Sequence, residues 1–178
     1  MNRFQEQFGI PSERAQKKVV DRLESPVQEF IRKSPFAVLA TADEDGHCDA
    51  SPRGGLPGFV KIIDDRHLLL PDVRGNKLFQ SYQNIEHNPH VGLVFFIPGI
   101  ERTVRVNGSA AIVSEADLKE RGVTGLEIFD PDEVALLLQG LLIEVQEAYR
   151  HCPRALSFSR LWDMETIQRN SEDSAVDQ

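Results

Sequence analysis

Cations placed at strand ends beside glycine and proline are the residues of this chain best suited to chemistry, and what they suit is the holding of a phosphate. The segment Asp72-Val73-Arg74-Gly75-Asn76-Lys77 is the strongest local candidate. Gly75 lets the backbone approach an anion, and a helix expected near Asn76 to Gln83, with Asn76 as its cap, presents free N–H groups and a positive dipole end. Arg74 and Lys77 would supply the charge. Arg53 lies in the Pro/Gly-rich stretch Pro52 to Gly58, which a chain reversal could bring beside the Arg74 loop, and Lys61 on the next strand adds a further cation. Like charges gathered in one place repel each other unless an anion joins them, so their convergence on an acidic protein points to a bound anion.

Other motifs are sparse. There is no G-x-G-x-x-G after the first strand and no Walker loop, so neither a Rossmann nor a P-loop site can be argued. No Ser-His-Asp order or nucleophile elbow stands out, and no catalytic residue is assigned. His151-Cys152 could be read as a metal or redox pair, but it lacks partner ligands at metal spacing; packing is preferred and no metal is expected. His47, His67, His87 and His90 lie at turns or strand ends, where histidines are mostly surface residues.

The 178 residues, 40% of them apolar, suffice for one substantial core, so a single domain over residues 1–169 with a flexible tail at 170–178 is expected. A net charge of -8 disfavours a nucleic-acid partner, because an acidic surface repels phosphate backbones. Two cysteines are too few for a disulfide framework and fit a reducing compartment. The polar first 18 residues carry no signal-peptide core, and no apolar run approaches the roughly 20 residues of a membrane span. A cytoplasmic protein with no membrane partner follows.

The elements that must position the cations read as short strands joined by hairpins. Ser12 caps a first helix with Ala15, Val19, Val20 and Leu23 on one stripe, and Ser25-Pro26-Val27-Gln28 opens a second, capped by Ser25, within the N-terminal residues 1–34. Phe36 to Ala42 and His47 to Ser51 form a hairpin, after which the two prolines and three glycines from Pro52 to Gly58 predict a loop. Phe59 to Ile63 and His67 to Leu70 form another, Val91 to Ile97 is a central strand, and Gly108 marks a bulge within a strand from Arg102 to Val113. Short helices are expected over Leu118 to Gly122 and Glu133 to Leu138, a last strand over Leu141 to Tyr149, and a terminal helix near Pro153 to Leu161. The pattern is mainly β with helical decoration, an antiparallel barrel or sandwich occupying residues 36–149, followed by a C-terminal segment over 150–169.

The pieces DASPRGGLPGFVKIIDD, LLLPDVRGNKL, NIEHNPHVGLVFFIPG, ERTVRVNGSAAI and AYRHCPRALSFSRLW occur in an order that resembles the pyridoxamine 5'-phosphate oxidase-like split-barrel flavoproteins, in particular their general FMN-binding branch. The resemblance implies a six-stranded antiparallel split β-barrel, a homodimer, and FMN in clefts at the interface. Carried over to this chain, it puts Arg53, Arg74 and Lys77 on the phosphate, with Ser51 and Asn76 as neutral hydrogen-bonding groups and Lys61 as a looser match. It sets Thr103 and Arg105 beside the polar edge of the flavin ring, and Arg160 and Trp162 in the segment that reaches the cleft formed with the other subunit.

True pyridoxamine phosphate oxidases carry an R-x-V-L-L-K strand and a terminal arginine/histidine pair. Here SPRGGLPGFVK replaces the first, and Arg154, Arg160 and His151 only loosely echo the second, so vitamin B6 oxidation is not expected. The expectation is an FMN oxidoreductase that uses NAD(P)H or a similar donor on a small organic acceptor. The alternatives are a flavin-binding redox sensor or cofactor store, and a split barrel that uses haem or a deazaflavin. For single residues other readings stand beside these: Arg105 alternates with Val104 and Val106 as an outward-facing charge would, and Trp162 suits plain burial.

Overall fold

Apolar side chains recur at every second position along the central strands, so that one face of each is buried and the pleat fixes the register. The computed structural model describes residues 2–73, 77–120 and 137–173. Its strands are β1 (Phe36–Ala42), β2 (Cys48–Gly54), β3 (Lys61–Ile62), β4 (His67–Val73), β5 (His90–Phe96), β6 (Thr103–Ser114) and β7 (Leu137–His151). All pair antiparallel in the order β2-β1-β5-β6-β7-β4-β3. The described residues thus hold seven strands rather than six. No ladder joins β2 to β4 or β3 among them, yet Arg53 of β2 and Asp72 of β4 meet at 3.1 Å. The sheet is therefore curled into a split barrel whose seam is bridged by side chains.

The helices are α1 (Arg3–Phe8), α2 (Glu13–Lys17), α3 (Ser25–Lys33), α4 (Gln80–His87), α5 (Glu115–Glu120), α6 (Arg154–Ser159) and α7 (Met164–Ser171). Val27 and Ile31 of α3 and Tyr82 and Ile85 of α4 join Leu39, Leu68, Leu93, Phe95, Val104 and Ile143 of the sheet in one core. Each such side chain contributes about 1.5–3 kcal/mol by leaving water. Asn84 Nδ2 donates to Thr41 Oγ1 at 2.9 Å in the interior, which pins α4 to β1. No described helix is long and apolar enough to cross a membrane.

Several boundaries differ from the sequence reading. Helix α2 ends at Lys17, so Val20 and Leu23 lie beyond it; Val20 instead makes an isolated bridge to Ala148. The cap of α3 is Glu24, not Ser25, and makes no side-chain hydrogen bond; Pro26 lies in the first turn. Strand β2 continues through Pro52 and Arg53, opposite Val38 and Ala37. An edge strand tolerates a proline because one of its sides has no ladder to lose. Helix α4 starts at Gln80 rather than Asn76, and Asn76 lies outside the described residues. So do 133–136 of the expected Glu133 to Leu138 helix, while Leu137 and Leu138 open β7. The tail expected from Asn170 begins with the last two residues of α7, a helix capped by Asp163, whose carboxylate accepts from Thr166 N–H.

The Gly108 bulge is present. The β6–β7 register shifts between Asn107 and Gly108, and a Cβ on Gly108 would stand 2.1 Å from Glu144 O.

Candidate functional site

Alternation along β2 aims Asp49, Ser51 and Arg53 to one side, all half-buried, while Cys48, Ala50, Pro52 and Gly54 face solvent. Across the seam β4 contributes Pro71, Asp72 and Val73, and the first turn of α4 contributes Gln80, Ser81 and Tyr82. Together with Lys77, Leu78 and Phe79 these enclose a cavity of about 440 Å³, a volume typical of small-molecule sites.

Arg53 organises this cavity. Its Nη1 donates to Asp72 Oδ1 at 3.1 Å and its Nη2 to Ser81 Oγ at 3.3 Å, while Ser81 Oγ donates onward to Asp49 Oδ2 at 2.7 Å. The guanidinium is thereby held by groups from two elements, β4 and α4, and Asp49 of its own strand orients the second of them. Its Nε is buried and has no hydrogen-bond partner among the described residues. An unmet buried donor costs about 1–3 kcal/mol, so such a group calls for an explanation. Burial and the Asp72 charge together push the Tyr82 phenol far above its ordinary range, so Tyr82 stays neutral. Its ring meets Phe79 edge-on at 6.2 Å and forms the aromatic wall.

The backbone entering α4 is strained, with Lys77 at φ 64° and Phe79 at φ 52°, both in the left-handed region. Phe79 is the N-cap and makes no side-chain cap bond. The first N–H groups of a helix have no partner within it, and here that turn lines the cavity. Strain of this kind persists where the surroundings over-determine it, often at ligand clamps.

Of the residues expected from sequence, Ser51, Arg53 and Lys77 come together in this cavity. Arg74 and Asn76 lie outside the described residues. Lys61 is half-buried on β3 opposite Leu69 and is not part of the lining. Thr103 is buried at the start of β6 opposite His151. Arg105 donates to Tyr149 Oη at 3.1 Å and lies over the same ring at 5.7 Å. Arg160, the left-handed residue that ends α6, pairs with Asp163 at 2.6 Å, and Trp162 Nε1 donates to Ile100 O at 3.1 Å. These last five stand apart from the cavity within one chain.

Sequence gives no role to Asp49, Asp72, Ser81 or Tyr82, although Asp72 lies within the candidate segment Asp72 to Lys77. Asp49 was legible, because it shares the period-2 face of Ser51 and Arg53; the others required knowledge of how β4 and α4 close on β2. No group of three or more His, Cys, Asp or Glu residues able to hold a metal occurs among the described residues.

No curated protein matches this sequence. Among solved structures, a point variant of HupZ from Group A Streptococcus is 19% identical, covers 72% of this chain and 99% of its own, and superposes with a TM-score of 0.52. A candidate pyridoxamine 5'-phosphate oxidase from Lactobacillus delbrueckii is 20% identical over 73% of this chain and 95% of its own, with a TM-score of 0.53. At such identities the likeness is one of fold. The sequence model for pyridoxamine 5'-phosphate oxidase matches residues 23–149, from two residues before α3 almost to the end of β7. The chain therefore belongs to the pyridoxamine 5'-phosphate oxidase family of split barrels.

Proposed function

We propose that the chain is an FMN-dependent oxidoreductase whose flavin phosphate occupies the cavity between β2, β4 and α4. The observation that carries this reading is Arg53, fixed by Asp72 and Ser81 and left with a buried, unpartnered Nε. A phosphate oxygen there would satisfy the donor in a charge-assisted bond. Lys77 adds charge, Ser51 a hydroxyl, and the opening turn of α4 its N–H groups. Arg74 and Asn76 join them on the sequence pattern alone. Family membership supports a flavin as the occupant.

Bound FMN would supply the hydride- and electron-accepting chemistry. The chain's own tasks are to hold the phosphate, orient the ring and exclude water. In this reading Thr103 and Arg105 meet the polar edge of the ring, and Arg160 and Trp162 cover it, from a second copy of the chain. A homodimer is proposed on that account. It is supported by the separation of these residues from the cavity within one chain and by the apolar exposure of Phe158, Leu161, Met164 and Ile167 on α6, α7 and the turn between them. The donor is NAD(P)H or a similar reductant, and the acceptor a small organic molecule.

The visible spectrum of the purified protein, followed by stopped-flow mixing with NADH and NADPH, tests the reading. A yellow protein that releases FMN on denaturation and is reduced by either donor is expected. A Soret band, or a colourless protein that takes up no FMN, overturns the cofactor assignment. Bound flavin that no donor reduces overturns the enzymatic one.

A further inference from the structure

A second cavity, of about 370 Å³, opens where the N-terminal segment crosses the far end of β7. Strand β4 pairs with β7 only as far as Glu144, and beyond it Val20 and Ala148 exchange backbone bonds of 2.7 and 3.3 Å. From Tyr149 to His151, β7 continues with no strand on that side among the described residues. The space left beside it is lined by Lys18, Arg102, Tyr149, Arg150 and His151, with Glu24 as its one carboxylate.

The charge here runs against that of the whole chain, which carries 28 acidic and 20 basic residues. Elsewhere Lys17, Lys33, Arg53, Arg66 and Arg160 each touch a carboxylate, while Lys61, Lys77 and Arg169 stand without one among the described residues but are not gathered in one cavity. Among the described residues Lys18, Arg102 and Arg150 touch none. Lys18 is held instead by the face of Tyr149, its Nζ 5.0 Å from the ring centroid, and Arg105 bonds the hydroxyl of the same ring. A π face steadies a cation without cancelling its charge. Three uncancelled cations around a concave space, against one carboxylate, set up a field that an anion relieves.

We propose that this second cavity binds a small organic anion bearing phosphate or carboxylate groups, gripped by Lys18, Arg102 and Arg150. Within one chain the site is distinct from the Arg53 cavity; its Tyr149 also holds Arg105, which the proposed function sets beside the flavin ring of a second copy.

Calorimetric titration of the whole chain with pyrophosphate and with citrate at low ionic strength tests this. Saturable binding of at least one probe is expected, weakened by added salt and unaffected by Lys77→Ala. The double substitution Arg102→Gln, Arg150→Gln should weaken it about tenfold or more, because each removed cation takes away a charged hydrogen bond. Lys18→Met should weaken it in the same direction, and circular dichroism should show all variants folded, since these side chains are exposed. A preference for pyrophosphate assigns a phosphorylated ligand, and a preference for citrate a carboxylated one. The proposal is overturned if neither probe binds at millimolar concentration, if the double variant binds as the parent does, or if Lys77→Ala costs as much as the double variant.

Discussion

Arg53 carries two roles that a single substitution cannot separate. Removing it takes a donor from the proposed phosphate and leaves Asp72, only 13% exposed, without its cation. Arg53→Ala should therefore destabilise the fold by about 1–3 kcal/mol in urea denaturation as well as weaken FMN binding. Lys77 is exposed and has no such tie, so Lys77→Ala is the cleaner probe of the phosphate site. It should weaken FMN by about 1.5–3 kcal/mol in a fluorescence titration, with little change in stability. Unchanged affinity would remove the phosphate from this cavity. Tyr82 gives a pH signature. Its folded-state pKa lies above the ordinary value of 10.0, so the stability it provides is intact below pH 10 and is lost as pH rises beyond it. Denaturation midpoints measured between pH 8 and 11 should fall more steeply for the parent than for Tyr82→Phe, by at most about 1.4 kcal/mol per pH unit. Parallel curves would mean that the phenol ionises in place.

The strands and the bulge were legible in the sequence because they rest on local patterns. The alternation of FAVLATA and of TVRVNGSA fixes which side chains face the core, and Gly108 is required because Glu144 O occupies the place of any side chain. Gly108→Ala should cost about 3 kcal/mol, read as a lowered denaturation midpoint with the sheet signal retained in circular dichroism. Parent-like stability would show that β7 can yield there. The start of α4 was less legible. Asn76 is a good cap by composition, but the chain reaches helical geometry only after two left-handed residues, which no propensity scale predicts for Lys77 and Phe79. The cavity depends on that detour, because it sets the first turn of α4 against Arg53. Proline opposes a ladder, so local sequence predicts a loop at Pro52-Arg53; the place of this stretch on the sheet edge, where proline is tolerated, is settled by tertiary order.

At the scale of the molecule, the residues expected around one cofactor are divided. Ser51, Arg53 and Lys77 line one cavity, whereas Arg105 stands against Tyr149, a residue of the other. Spacing along a chain says which residues are near in sequence, while the curl of the sheet decides which edges meet. If the ring-side residues act from a second copy, light scattering at micromolar concentration should give twice the chain mass of 20.0 kDa. A monomeric mass under those conditions would sink the shared site. The order of the strands has one more consequence, for the making of the protein. Strands β1, β2, β5 and β6 can assemble as soon as residue 114 is available, but β4 has only the two-residue β3 to pair with until β7 arrives some seventy residues later. During synthesis the Lys61–Val73 hairpin must therefore wait with its apolar edge uncovered, and that interval is when a ribosome-bound chain is most open to mispairing with a neighbour.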